Sequence, residues 1–505
     1  MDSSRRILRR VLFLSPGNRK MALLSGKDYD KMNTEHTDDE RDGMEKKAII
    51  RDLTTGSVPR TLISFSLPLF LSGLLQMVYN MADMIIVGNF VGTEGLSAVS
   101  IGGEVLMLIT FVAMGFSNAG QILISRYVGA KRTDLVGEMV GTLFTLLESL
   151  AVVIMVIFLF TYRGILHWLN TPEEILEYTR QYCITCIAGV VFIYGYNLVS
   201  AILRGMGDSK HPFLFIAIAS VINVILDILF VGPMGMGPRG AALATVIGQA
   251  VSFLFALRLL YKNREQIHFD FHPKHFRIGR NVIRHLLSLG IPMVVQSAAI
   301  TFSMLFVNSY VNTYGTVAVA VTGVARKLES MISVVSQAIS SSGGAMVSQA
   351  LGARKTERVP KIVGHAMWIV AIPAVIFALI TAFRPEWLFG LFSQDPAVLN
   401  MAITYIPVAM IQYLGCVLRP PNFALINGSG NSKLNLSVAL LDGIFTRIGL
   451  SLLLGVGLGW GIRGFWYGNA LSGLVPFFIG TAYLISGRWA NMSNKHTAGT
   501  EDAAD

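Results

Sequence analysis

Residues 62–88 read LISFSLPLFLSGLLQMVYNMADMIIVG. A run of this length crosses a hydrocarbon core of roughly 30 Å, which takes about 20 helical residues. Two features set it apart from a plain anchor. Pro68 removes one backbone hydrogen bond and is expected to bend the helix near its start, as a hinge. Asp83 places a carboxylate in an apolar segment, at a cost on the order of 2.5–3.5 kcal/mol if it sits at the bilayer centre. Gln76, Tyr79, Asn80 and Asp83 follow i, i+3, i+4, i+7 spacing, so one side of this helix is polar and the other greasy. A bent helix with one buried acid points to a moving part with a cation site; the alternative is an acid snorkelling from a helix end.

The surrounding composition agrees with a membrane setting. The 505 residues are 53% hydrophobic and 14% charged, with a mean hydropathy of +0.56, which describes a polytopic membrane protein rather than a soluble enzyme. The net charge of +10 is explained by topology. The even-numbered connections between apolar spans hold 17 Lys and Arg and the odd-numbered ones 5. That bias puts the even side, and with it both termini, in the cytoplasm of a multi-pass protein of the plasma (bacterial inner) membrane. No nucleic-acid partner is needed to account for it. Cys183, Cys186 and Cys416 are too few for a disulfide framework; the CxxC spacing of the first two lies in an apolar run and reads as small buried residues. There is no GxxxxGK[ST] loop, and no cofactor is expected.

Taken in order, residues 1–58 read as a polar cytoplasmic tail, with Met21 a second candidate start. Twelve apolar spans follow, at about 60–85, 95–123, 136–161, 177–201, 213–232, 239–261, 284–312, 318–342, 362–383, 397–425, 435–456 and 463–485. They divide into an N-lobe (59–261) and a C-lobe (284–487), joined by a basic cytoplasmic linker (262–283) and followed by a short tail (488–505). His268, His272 and His275 lie close together in the linker, but histidine clusters in basic loops rarely have the acidic or thiolate partners a metal wants, so a solvated linker is the expectation. The second half repeats the first. SRYVGAKRTD (125–134) recurs as SQALGARKTE (348–357), and RGMGDSK (204–210) as the end of INGSGNSK (426–433), both displaced by 223 positions. Pro68 pairs with Pro292, and Arg239-Gly240 with Arg463-Gly464, at 224. Six spans per repeat is an even number, so both repeats enter the membrane the same way. The fold expected is all-α, with 12 transmembrane helices in two six-helix repeats related by a pseudo-two-fold along the membrane normal and a cavity between them.

With the first span ending QMVYNMAD, the loop YVGAKRTD after the second and RGMGDSKHP after the fourth, this 6+6 chain resembles the multidrug and toxic compound extrusion (MATE) family over about residues 53–487. The resemblance implies a secondary active multidrug exporter that exchanges organic, mostly cationic amphiphiles for protons or sodium by alternating access. Its partners would be small-molecule drugs or toxins, the coupling ion and the lipid bilayer; a monomer is expected.

The residues themselves offer a constellation for such coupling. The fifth span carries Asn223 and Asp227 one turn apart, the sixth Thr245 and Gln249, and the fourth Tyr194, Tyr196, Asn197 and Ser200. With Asp83 these are buried polar groups that need partners, and they are best packed facing one another, as a coupling site or as a static network pinning the helices. In archaeal and DinF-like members of the family, acids of helices 1 and 5 with polar residues of helices 4 and 6 do the coupling. The resemblance carries that role onto Asp83, Asn223, Asp227, Asn197 or Ser200, and Thr245. A coupling sodium, if used, would fall to Asp83 and Asp227, and no other metal is expected. Gln76, Tyr79, Tyr194 and Glu329 are candidates for the substrate cavity. The second half departs from the pattern: the partners of Asp83 are Phe306 or Val307, those of Asp227 are Leu450 or Ser451, and the seventh and tenth spans hold no acid. Asp442 and Arg447 are expected to pair structurally, while Glu104 and Glu148 belong to span ends or the interior. A flippase for a lipid-linked substrate shares the architecture and stays as the alternative. A membrane enzyme is disfavoured, because the short non-cytoplasmic loops carry no His, Asp or Arg cluster.

Overall fold

In lipid every backbone N–H and C=O must be bonded within the protein, so apolar runs of this length become helices. The computed structural model describes residues 49–169 and 171–492, and these contain helices and turns but no strand. The first repeat comprises α1 (Val58–Val91), α2 (Thr93–Gly129), α3 (Thr133–Trp168), α5 (Lys210–Val231) and α6 (Gly237–Lys262). Its α4 is made of two pieces, Glu173–Ala188 and Val190–Gly205, bent by 50°. The second repeat comprises α7 (Arg280–Asn312), α8 (Thr316–Gly352), α9 (Arg358–Phe383), α10 (Pro396–Ser429), α11 (Ser432–Gly457) and α12 (Ile462–Ile485). Eleven of the twelve are long and apolar enough to span a membrane, with the bent α4 counted as one. The other, α8, is 37 residues long but carries Arg326, Lys327, Glu329 and a run of serines. Large apolar side chains stand bare on the outside, among them Phe160 at 85%, Ile485 at 81% and Trp368 at 76% exposed. Lipid is the solvent for such a surface.

The duplication is written in the backbone. Left-handed residues recur in pairs: Gly92 with Gly315, Lys131 with Arg354, Gly207 with Gly430, Gly235 with Gly459, and Gly237 with Gly461. Lys131 and Arg354 each stand just past a long helix, whose last carbonyls are closed by the amides of the residues that follow (Arg132 N–H to Tyr127 O, 2.9 Å; Lys355 N–H to Ala350 O, 2.9 Å). The repeats also cross over alike: α1 lies against α5 and against α8 of the other repeat, and α7 against α11 and against α2. The two-fold is tightest where α2 and α8 end. A Cβ on Gly129 would lie 2.0 Å from the Gln349 carbonyl oxygen, and one on Gly352 would lie 2.1 Å from that of Arg126. Only glycine permits this approach. Residues 342–351 of α8 are all buried, as is nearly all of 115–127 in α2, whereas the opposite halves of both helices are half-exposed. The lobes are sealed at the end carrying the basic loops.

Several expectations change. Pro68 lies inside α1, which runs as one helix across it; an unexpected break of 50° lies at Gly189 in α4, where a Cβ would lie 2.4 Å from Val246 of α6. Of the expected tail, residues 1–48 lie outside the described part, and residues 49–57 are packed. Ile49, Leu53 and Thr54 are buried, and this strap bonds to both repeats: Arg51 N–H donates to Met206 O (2.8 Å), and Gln349 Nε2 donates to Arg51 O (3.0 Å). Most of the linker, including His268, His272 and His275, is exposed, and a few residues anchor it to the N-lobe. Ile267 and Phe269 are buried, Phe144 of α3 meets Phe269, Phe271 and Phe276, and Gly279 N–H donates to Thr142 Oγ1 at 2.9 Å. The described residues hold no cluster of three metal-binding side chains. His275 instead pairs with Asp270, whose carboxylate is pulled below its ordinary range by the His272 amide first and by His275 second. In the C-terminal tail, Met492 O accepts from the buried Arg126 Nη1 at 2.8 Å; residues 493–505 are outside the described part.

Candidate ion and substrate site

The polar face of α1 does not act as a unit. Gln76 and Asn80 are exposed, while Tyr79 and Asp83 turn inward; Asp83 is 6% exposed. Gln76 Nε2 donates to Tyr79 Oη at 3.4 Å. One helix away, Asn223 and Asp227 share a face of α5 by their one-turn spacing, and both are buried. Because α1 packs along α5, the carboxyl groups of Asp83 and Asp227 come within hydrogen-bonding reach of each other. Tyr182 and Cys186 of α4 flank Asp83. Thr245 and Gln249 of α6 close the site: Asn223 Nδ2 donates to Thr245 Oγ1 at 3.4 Å, and a small cavity lies among Tyr79, Ser220, Asn223, Thr245 and Gln249.

The unpartnered atoms of the site are all acceptor oxygens. Asp83 Oδ1, both carboxyl oxygens of Asp227, Asn223 Oδ1 and Gln249 Oε1 are buried without a hydrogen-bond partner, and no Lys or Arg pairs with either aspartate among the described residues. Two neighbouring carboxyls without a base cannot both stay bare and charged in a low dielectric. Such an arrangement can be neutralised by a proton between the acids, by an oxygen-seeking cation, or by a cationic group of a larger ligand. Its oxygen-only donor set fits a hard cation such as sodium.

The remaining candidates are placed elsewhere. Tyr194 is fully buried and its hydroxyl donates to Ile109 O of α2 at 2.8 Å, so it pins α4 to α2 and is not part of the cavity among Tyr79, Asn223 and Thr245. Asn197 Nδ2 donates to Ile193 O in its own helix (2.8 Å), and Ser200 Oγ is buried without a partner; neither bonds to the aspartate pair. Glu329 lines a cavity, but one of about 200 Å³ within the C-lobe, between α8, α10, α11 and α12. The expected Asp442–Arg447 pair is present at 3.0 Å, and Arg419 of α10 joins it, with Nη2 2.6 Å from Asp442 Oδ2. Glu104 is exposed on α2, and both carboxyl oxygens of Glu148 in α3 are buried without a partner. At the positions matching the N-lobe acids, α7 instead presents aromatic packing, Phe306 against Tyr310 and Tyr310 on Phe465. Sequence reasoning passed over Tyr182, whose apolar surroundings hide its place beside Asp83. It also passed over Arg419, although an arginine within a span is itself a signal.

The MatE family profile matches residues 68–229 and 292–453, two stretches offset by the 224 positions of the internal repeat. The probable multidrug resistance protein YpnP of Bacillus subtilis is 30% identical over 308 residues, 61% of this chain and 68% of its own length. YoeA, another probable multidrug resistance protein of the same organism, is 29% identical over 364 residues, 71% of this chain and 78% of its own. In fold, the chain is similar to a solved outward-facing multidrug resistance MATE transporter of the MOP superfamily, with a TM-score of 0.80 at 23% identity, covering 87% of this chain and 98% of that one. Twelve helices in two six-helix repeats, an acid pair among polar side chains in the first repeat and the doubled profile match lead to one assignment: the chain belongs to the MATE family of membrane transporters.

Proposed function

We propose that the chain is a secondary active exporter of organic, mostly cationic amphiphiles, exchanging them for inward-moving protons or sodium ions by alternating access. The observation that carries this reading is the buried Asp83–Asp227 pair, with its unpartnered acceptor oxygens and no base. In this reading the membrane is the bacterial inner membrane, and the sealed, basic end with both termini faces the cytoplasm, as the charge bias of the loops requires. A cationic drug and the coupling ion both neutralise the pair, so they compete for it. The arriving ion favours an arrangement of α1 in which Tyr79 and Asp83 turn away from the drug, with Pro68 as the hinge. The drug then loses its partners and leaves outward, and release of the ion inward resets the lobe. Exchange follows because the two ligands favour different members of one conformational equilibrium. Asn223 and Thr245 orient the pair, and Asn197 and Ser200 on α4 serve the ion's path toward the sealed end.

The test is ethidium export by the purified protein in liposomes, under separately imposed proton and sodium gradients. Asp83→Asn and Asp227→Asn are each expected to abolish gradient-driven export while binding of the protein to the membrane and its melting temperature stay near parental. Parental export by Asp83→Asn would show the site to be structural.

A further inference from the structure

The C-lobe cavity has the opposite chemistry from the N-lobe site. Where the first repeat gathers acceptors, this cavity of about 200 Å³ is bordered by Arg419 and Arg447. Asp442, fully buried, bridges the two guanidinium groups, one carboxylate oxygen to each. Arg447 also donates through Nη1 to Asn469 Oδ1. One carboxylate does not exhaust two guanidinium groups. Arg447 Nε is buried with no partner, although the residue is 2% exposed. Arg419 donates through Nη2 alone among the described residues, leaving Nε and Nη1 free. Glu329 faces the same space from α8 but forms no ion pair among the described residues, so it does not consume these donors. At the cavity, Arg419 and Arg447 stand against Asp442 and Glu329, and Arg326 approaches Glu329 from an adjoining cavity.

The cavity also has a place for an apolar body. Met304, Pro420 and Phe423 form part of its wall, and Arg419 lies over the Phe423 ring with its guanidinium carbon 5.3 Å from the centroid, which holds the fork in orientation. The backbone is irregular at the same place: α11 loosens into a π-helical turn at Leu441–Thr446, which carries Asp442 to the two arginines. Such turns recur at functional sites. Guanidinium donors in a fixed fork match the two oxygens of a carboxylate or phosphate.

We propose that this C-lobe cavity binds an organic oxyanion, a carboxylate or phosphate on an apolar body, separately from the acidic site of the N-lobe. The oxyanion takes Arg447 Nε and the free donors of Arg419, its body lies on Phe423 and Met304, and Asp442 holds the fork open between ligand visits. The two lobes then offer opposite charges, and this transporter accepts amphoteric or anionic compounds as well as cationic ones.

The test is binding rather than export, so it stands apart from the coupling proposed for Asp83. The purified full chain in lipid nanodiscs is titrated with 2-naphthoate, 2-naphthyl phosphate, the neutral 2-naphthamide and the cationic 2-naphthylmethylammonium. Saturable binding of at least one anion is expected, and which of the two binds more tightly identifies the headgroup. Arg419→Gln should weaken that binding at least about tenfold, as loss of a charge-assisted hydrogen bond does, with 2-naphthamide unaffected and Asp83→Asn unchanged. Gln412→Glu, nearly isosteric and on the cavity wall, adds a negative charge there and should weaken it as well, which keeps the test open if Arg419→Gln fails to fold. The proposal is overturned if neither anion binds saturably, if Gln412→Glu leaves anion binding unchanged, or if the cationic compound binds in preference and loses its affinity in Glu329→Gln. Equal losses for 2-naphthoate and 2-naphthamide in Arg419→Gln would also overturn it, because they would mark the arginines as a helix pin.

Discussion

Replacing Gly352 by alanine puts a methyl group where the Arg126 carbonyl oxygen lies 2.1 Å from the ideal Cβ position. Ordinary contact begins near 3.4 Å, so α2 and α8 must part by roughly 1 Å, and the obstacle is helix backbone, not a side chain that can turn aside. Overpacking of this kind costs about 1–3 kcal/mol. The cost falls on the state with the basic end sealed and not on a state with that end parted, so the ratio of the two should move by about 5- to 150-fold. Gly129→Ala should act in the same direction, because its Cβ meets Gln349 O at 2.0 Å across the same axis. Gly364→Ala in α9, with nothing within 4 Å of its Cβ, controls for the higher helix propensity of alanine. Spin labels on Asp134→Cys and Glu357→Cys, exposed and related by the repeat, read the separation of the two ends by pulsed electron resonance. The expected result is a longer distance, or a second longer population, in either alanine variant, with slower ethidium export. A distance distribution and an export rate equal to the parent's in both variants would refute the idea that these glycines seal the lobes.

Other consequences can be checked more briefly. Asp442→Asn removes the charge that bridges Arg419 and Arg447 and leaves the buried Arg447 without its carboxylate, facing the half-buried Arg419; thermal unfolding in detergent should show a loss of about 3–5 kcal/mol. Tyr194→Phe deletes the bond to Ile109 O inside a packed interface and should cost about 1 kcal/mol of stability while export is retained; loss of export at unchanged stability would return Tyr194 to the cavity. For Asp270 the sign is set by a folded-state pKa lower than the unfolded one. Its contribution to linker order is present above the ordinary carboxylate range and disappears as pH falls through the folded value. Hydrogen exchange should therefore show less protection of the linker in Asp270→Asn than in the parent near pH 7, and no difference in strong acid.

Much of this protein was legible in the chain itself, because the signals are local. Apolar runs of spanning length specify helices wherever the solvent is lipid, and the motifs SRYVGAKRTD and SQALGARKTE mark the duplication by their offset. The acids Asp83 and Asp227, with Asn223 and Thr245, stood out because a polar group at membrane depth must have a partner or a purpose. Periodicity, however, does not say how far a helix is rotated or which neighbour it meets; packing sets that. Tertiary structure alone turned Tyr194 toward Ile109, added Arg419 to Asp442 and Arg447, packed residues 49–57 against the lobes and anchored the linker to the N-lobe. It alone also brought Gly129 and Gly352 against each other's repeat, since a glycine in sequence does not reveal which backbone will approach it.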